Sequence, residues 1–131
     1  MEKLIINDSN ILYISQFGSY GTEEWIKDIS DIDIGIIVKS LSELDYSLED
    51  RLIEYFKEKY KYPIINITIA EYDLDNKLSR NIICGKTLYS VIDEKNIKKR
   101  CLYIEKSVRE QRTYYELSKL EVLKNEVNSL W

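Results

Sequence analysis

Residues 31–38 read DIDIGIIV. Successive side chains of a β-strand point to opposite faces, so this octet sorts into two sets. Ile32, Ile34, Ile36 and Val38 fall on one face, and Asp31, Asp33, Gly35 and Ile37 on the other. The first set predicts a packed side. The second opens with two carboxylates that project together at the strand's entrance. Like charges held that close repel, and a divalent cation between them relieves the repulsion. Oxygen-only ligands suit Mg²⁺, which commonly binds through one or two carboxylates plus substrate phosphates.

Upstream, residues 11–16 read ILYISQ, apolar and β-prone, and run into Phe17-Gly18-Ser19. A strand ending in Gly-Ser predicts a turn with exposed N–H groups and a hydroxyl, donors that suit terminal phosphate oxygens. Eleven residues, 20–30, separate Ser19 from Asp31. Alone, Gly-Ser is an ordinary turn, and Asp-x-Asp at a strand edge is more often solvated than metal-bound. Together they describe a nucleoside triphosphate held by its tail, with metal at the phosphate to be attacked. Phosphoryl and nucleotidyl transfer rest on positioning and charge neutralisation, so they proceed without histidine. The chain has none. That excludes Ser-His-Asp and Cys-His nucleophiles and His-ligated zinc. Cys84 and Cys101, spaced for neither a zinc site nor a disulfide framework, add nothing.

Downstream, SLEDRLIEYFKEKY predicts a helix, with Ser47 and Asp50 as a capping box and Leu48, Leu52, Tyr55, Phe56 and Tyr60 at helical spacing. YPIINITIA reads as a strand. DLDNKLSRNIIC places Leu74, Leu78 and Ile82 one turn apart, with Gly85 as terminator. KTLYSVI is a short strand, and Asp93 caps the segment after it. From Glu94 to Trp131 there is no Gly or Pro. Ile97, Cys101, Ile104 and Val108 make one apolar stripe. Leu120, Leu123, Val127 and Leu130 make a second, out of phase with it, which points to a partner or a second copy of the chain. One bent helix or two consecutive helices fit equally. Tyr55, Tyr60, Tyr89 and Tyr103 fall where packing is expected. Tyr20, in the phosphate turn, either stacks on a base or covers the loop.

The order is β, β, α, β, α, β, α. It predicts an α/β fold: a small mixed β-sheet with helices packed mainly on one face and a long C-terminal helical segment. With 131 residues, 44% of them hydrophobic, 32% charged and one a proline, the expectation is a single domain, with core 11–92 and helical segment 94–130. The net charge of −4 favours no nucleic acid, and the basic run Lys95–Arg112 reads as the wet face of a helix. No apolar run approaches the roughly 20 residues of a membrane span. The start, MEKLIINDSN, lacks the pattern of a secretory signal, so the expected location is the cytoplasm.

FGSYG…SDIDIGIIV resembles the Gly-Ser…Asp-x-Asp signature of the DNA polymerase β-like nucleotidyltransferases, and in particular their small branch, the minimal nucleotidyltransferases. NITIAEYDLDNKLSRNIICGKTLYSVID resembles that branch's strand, short helix and Gly-x-x-Leu-Tyr strand, so the likeness covers about residues 11–92. It implies a palm-like mixed sheet, with Gly18 and Ser19 on the triphosphate of ATP and Asp31 and Asp33 as catalytic ligands of Mg²⁺. Many such proteins are antitoxins paired with helical HEPN-type toxins, and some transfer AMP to a toxin tyrosine. Three departures stand out. The family's third carboxylate is replaced by Asn66, a weaker, neutral ligand that cannot act as a base, with Glu71 and Asp73 the next carboxylates along the chain. The usual Arg-Gly after Gly-Ser is Tyr20-Gly21-Thr22. A longer helix usually precedes the first strand, where ten residues precede Ile11 here. The resemblance implies adenylyl transfer to a cognate toxin. The alternatives are a catalytically impaired protein acting by contact, and a transferase for an aminoglycoside-like hydroxyl.

Overall fold

A computed structural model describes residues 8–129. β2 (Ile32–Val38) is an inner strand of a four-stranded mixed sheet. It pairs antiparallel with β1 (Ile11–Phe17) and parallel with β3 (Ile65–Glu71). β4 (Lys86–Ser90) adds antiparallel to the far edge of β1, giving the order β3-β2-β1-β4. Among the described residues, three α-helices and a 3-10 turn (Leu41–Glu43) complete the fold: α1 (Tyr46–Tyr60), α2 (Lys77–Ile83) and α3 (Glu94–Ser129).

The alternation in β2 sorts the core as expected. Ile32, Ile34, Ile36 and Val38 pack with Ile11 and Ile14 against Leu48, Leu52 and Phe56 of α1. Ile37 lies on the opposite face with Tyr13 and Ala70, under Ile82 and Ile83 of α2 and Cys101 of α3. Two of the three helices therefore share the acidic face, and α1 alone covers the other. Burying each of these large apolar side chains contributes about 1.5–3 kcal/mol.

Gly35 sits where α2 crosses the sheet. A Cβ there would lie 2.5 Å and 2.6 Å from the two γ-carbons of Ile82, which is fully buried. Gly35→Ala is expected to cost about 1–3 kcal/mol in urea denaturation, from overpacking. In an Ile82→Ala background, which lacks both crowded γ-carbons, Gly35→Ala should cost less than in wild type.

Several details differ from the sequence reading. The cap of α1 is Asp45, not Ser47. Its carboxylate accepts from the backbone N–H and hydroxyl of Ser47 (3.0 and 2.8 Å) and from Arg51 (3.0 Å). A charged acceptor outcompetes a hydroxyl at the positive end of a helix. α2 buries Ser79, Arg80, Ile82 and Ile83, while Leu78 is exposed. The helix is turned inward on Arg80 because that side chain meets Glu105 of α3 and the carbonyl of Leu74. Gly85 is required by close approach rather than by a left-handed turn: a Cβ would press on the carbonyl of Gln16 and the hydroxyl of Ser15. Asp93 caps α3 as expected, accepting from Asn96. Tyr103 is exposed instead of packed.

α3 is one helix of 36 residues, about 54 Å long. Its first stripe packs at Ile97 and Cys101 and fades by Val108, which is exposed. Beyond it Tyr115, Leu117, Leu120, Val122 and Leu123 all stand in solvent. The side chain of Val127, and Leu130 and Trp131, lie outside the described residues. No helix among the described residues is long and apolar enough to cross a membrane.

Arg80 is buried and its Nε donates to Glu105 Oε1 at 2.6 Å, tying α2 to α3. That hydrogen bond holds the Glu105 carboxyl below the ordinary glutamate value of 4.5. A depressed folded value means the pair stabilises fully above pH 4.5 and is lost as pH falls through the lower folded value. Glu105→Gln strands a buried guanidinium, and we expect a loss of about 2 kcal/mol at neutral pH, reduced because Glu105 is partly exposed. Melting curves of both proteins should converge as the solution is acidified below the ordinary glutamate range. A gap that persists at acid pH would show that the ion pair is not its source.

Candidate active site

The site is built where β1 stops. Gly18 (φ 80°) and Gly21 (φ 90°) both hold left-handed backbone, which glycine adopts without a Cβ penalty. They fold residues 18–22 into a turn closed by the Thr22 N–H and hydroxyl, which both donate to the Ser19 carbonyl (2.9 and 2.6 Å). No helix follows. The N–H groups of Ser19, Tyr20 and Gly21 and the Ser19 hydroxyl find no acceptor or donor among the described residues. An open cavity of about 440 Å³, lined by Gly18, Ser19, Thr22, Glu23 and Glu24, borders the turn.

β2 delivers Asp33 to this turn. Asp33 pairs with Phe17 in the ladder, and its Oδ2 lies so close to Gly18 that a Cβ there would overlap it. Glycine at 18 is thus needed twice, for its φ and for the carboxylate it admits. Asp31 stands one residue before β2, at the alternation that sets it on the side of Asp33. Its carbonyl accepts from Trp25 Nε1 at 2.9 Å. No donor among the described residues reaches its carboxylate.

The segment between turn and strand is pinned by aromatic contacts. Tyr20 meets Trp25 and Tyr60 edge-on at 5.0 and 5.6 Å, and Trp25 packs on Tyr62 at 5.1 Å. The Tyr62 hydroxyl donates to the Ser30 carbonyl. The Tyr20 ring thus packs over the loop.

Asn66 pairs with Asp33 across the parallel ladder and donates from Nδ2 to Asp33 Oδ1 at 3.0 Å. Neither nearby acid replaces a carboxylate there. Glu71 is the last residue of β3, paired with Val38 at the opposite end of β2, about 17 Å along the strand. Its Oε1 accepts from the Leu41 N–H at 2.8 Å. Asp73 lies beyond it and accepts from the Asp75 N–H. Among the described residues no three Asp, Glu, Cys or His side chains gather in metal-binding geometry. Asp33 and Asn66 bring one carboxylate and one amide to the turn that carries the Ser19 hydroxyl, and Asp31 adds a carboxylate at the entrance of β2. With phosphate oxygens added, that chemistry suits one Mg²⁺.

A second cavity, of about 850 Å³, opens on the other side of Gly18, lined by Gln16, Phe17, Tyr20, Gly21, Asn81, Cys84 and Lys86. Its far side is not legible in the sequence, because Lys86 reaches the turn through the pairing of β4 with β1 and Asn81 through α2, which packs on the sheet.

A family model described as a nucleotidyltransferase domain matches residues 7–115. The chain belongs to the nucleotidyltransferase domain family. The match spans the whole sheet of this nucleotidyltransferase and stops within the projecting part of α3. Three solved structures share its fold. A toxin–antitoxin with AMP-PNP is 19% identical, with a TM-score of 0.51 over 86% of this chain and 89% of that one. Two mutants of the MntA–HpeT toxin–antitoxin, one a double aspartate-to-glutamate change and one a tyrosine-to-alanine change, are each 18% identical. Their TM-scores are 0.51 and 0.50, over 86% of this chain and 88% of theirs. No curated protein sequence matches the nucleotidyltransferase.

Proposed function

We propose that this nucleotidyltransferase transfers AMP from Mg²⁺–ATP to a protein hydroxyl, and that the acceptor is a helical HEPN-type toxin for which it serves as cytoplasmic antitoxin. The observation that carries the reading is the Asp33 carboxylate held against the Gly18 turn. An acidic strand entrance and a donor-rich phosphate turn converge on one spot. The likeness to toxin–antitoxin structures, one of them with AMP-PNP, supports the choice of partner and nucleotide.

In this reading Ser19 and the N–H groups of the turn bind the terminal phosphates, and Asp31 and Asp33 hold Mg²⁺. Bound there, Mg²⁺ neutralises phosphate charge. The acceptor oxygen attacks the α-phosphorus, the bond from it to the bridging oxygen breaks, and pyrophosphate leaves. The hydroxyl proton passes to a carboxylate of the pair or to water, since Asn66 takes none. The projecting part of α3, with a groove of about 450 Å³ along Tyr115, Lys119, Val122 and Leu123, serves as the toxin's docking face.

Asn66 favours a second reading, in which the chain neutralises its partner by contact alone. Incubation with α-labelled ATP, Mg²⁺ and the protein encoded by the adjacent gene separates the two. Adenylyl transfer predicts label on that partner. Tight complex formation with an unlabelled partner would replace this reading with the second.

A further inference from the structure

The four strands end side by side at the turn. Asn66 of β3 pairs with Asp33 of β2, Asp33 with Phe17 of β1, and the preceding Gln16 with Lys86 of β4. Strands in a sheet are spaced about 4.8 Å apart, so β4 stands roughly 10 Å from Asp33, with the Gly18 turn between them. The large cavity is lined by Gly18, Tyr20 and Gly21 of the turn, by Asn81 of α2 and by Lys86 of β4.

The charges of the segment make that lining important. Residues 18–33 carry Glu23, Glu24, Asp28, Asp31 and Asp33 against Lys27 alone, a formal charge of 1 − 5 = −4. This negative charge opposes a polyphosphate brought to the turn unless cations offset it. Among the described residues, Lys86 is the only basic one lining either cavity at the turn. It is exposed and makes no ion pair among the described residues. The neighbouring Lys98 is already engaged, with its Nζ on the Gly85 carbonyl at 3.0 Å and near Glu94 at 3.3 Å.

We infer that Lys86 binds the polyphosphate tail of the nucleotide from β4, supplying the positive charge that the turn itself lacks. The inference rests on the nucleotide site proposed above. A lysine serves here as a compact point charge, which arginine reproduces and alanine does not.

Calorimetric titration with Mg²⁺–ATP and with AMP tests it on four proteins: wild type, Lys86→Ala, Lys86→Arg and the double variant Asp31→Asn/Asp33→Asn. Lys86→Ala is expected to weaken Mg²⁺–ATP binding about tenfold or more and to flatten its salt dependence, as loss of one charge-assisted contact does. AMP, which lacks the tail, should change less than about twofold, and Lys86→Arg should recover most of the ATP affinity. Because Lys86 is exposed, a melting curve matching wild type verifies the fold. If Lys86→Ala keeps ATP affinity while the double aspartate variant loses it, Lys86 is idle and the nucleotide site stands. Equal losses for ATP and AMP would move Lys86 to the nucleoside and overturn the inference. A wild-type protein that binds neither ligand removes the nucleotide reading and this one with it.

Discussion

Asp31→Asn/Asp33→Asn is expected to lower label transfer from ATP to the partner by about a thousandfold or more. Loss of one preorganised electrostatic contact at a reacting phosphate or carbonyl costs about 10²–10³ in rate, and here the whole anionic pair goes. The substitution preserves shape, so stability should hold. An amide at position 33 would still fit beside Gly18 and keep an oxygen for Asn66 Nδ2, which donates to the Asp33 carboxylate at 3.0 Å. Removing two like charges from one strand entrance also lifts a repulsion. The melting temperature should therefore stay level or rise as transfer disappears. The two proposed activities part at this variant. Adenylyl transfer requires the partner to escape control, whereas neutralisation by contact requires control to persist. Transfer within tenfold of wild type would sink the assignment of these two residues.

Asn66→Asp carries the second large effect, and its sign depends on magnesium. Without metal, the change turns a hydrogen-bonded amide–carboxylate pair into two facing carboxylates. The loss of that bond and the new repulsion should cost about 1–2 kcal/mol. With Mg²⁺, three carboxylates on neighbouring strands gather the cation more strongly than two, and a base becomes available where none stood. Transfer should rise about 10²-fold, within the range general-base catalysis supplies. The diagnostic is the pairing of readouts: a variant less stable in chelator, restabilised by Mg²⁺ more than wild type, and faster. Stabilisation by magnesium without acceleration would mean that the wild-type amide does not limit the rate.

The acidic strand and its turn are readable because their signals are local. Alternation over DIDIGIIV assigns every side chain of β2 to a face without reference to any other strand. Gly18 and Gly21 mark the turn because their φ values exclude most other residues. The features that escape such reading depend on contacts between distant segments. Lys86 reaches the turn because β4 joins the sheet beside β1, and Asn81 because α2 packs on that sheet. The buried face of α2 is hard to judge because Leu78 looks like core while Arg80 looks like surface, until Glu105 is placed opposite. Asp45 is inconspicuous as a cap since its partners, the Ser47 hydroxyl and Arg51, lie inside the helix it starts.

The outer stretch of α3 extends about 30 Å beyond Val108 with no sheet beneath it. A solitary helix of that length is marginal in water, so its amide protons should exchange rapidly and its backbone should be open to proteases. Capture by a binding partner would silence both. The lifetime of the free chain should then follow the supply of whatever covers this arm.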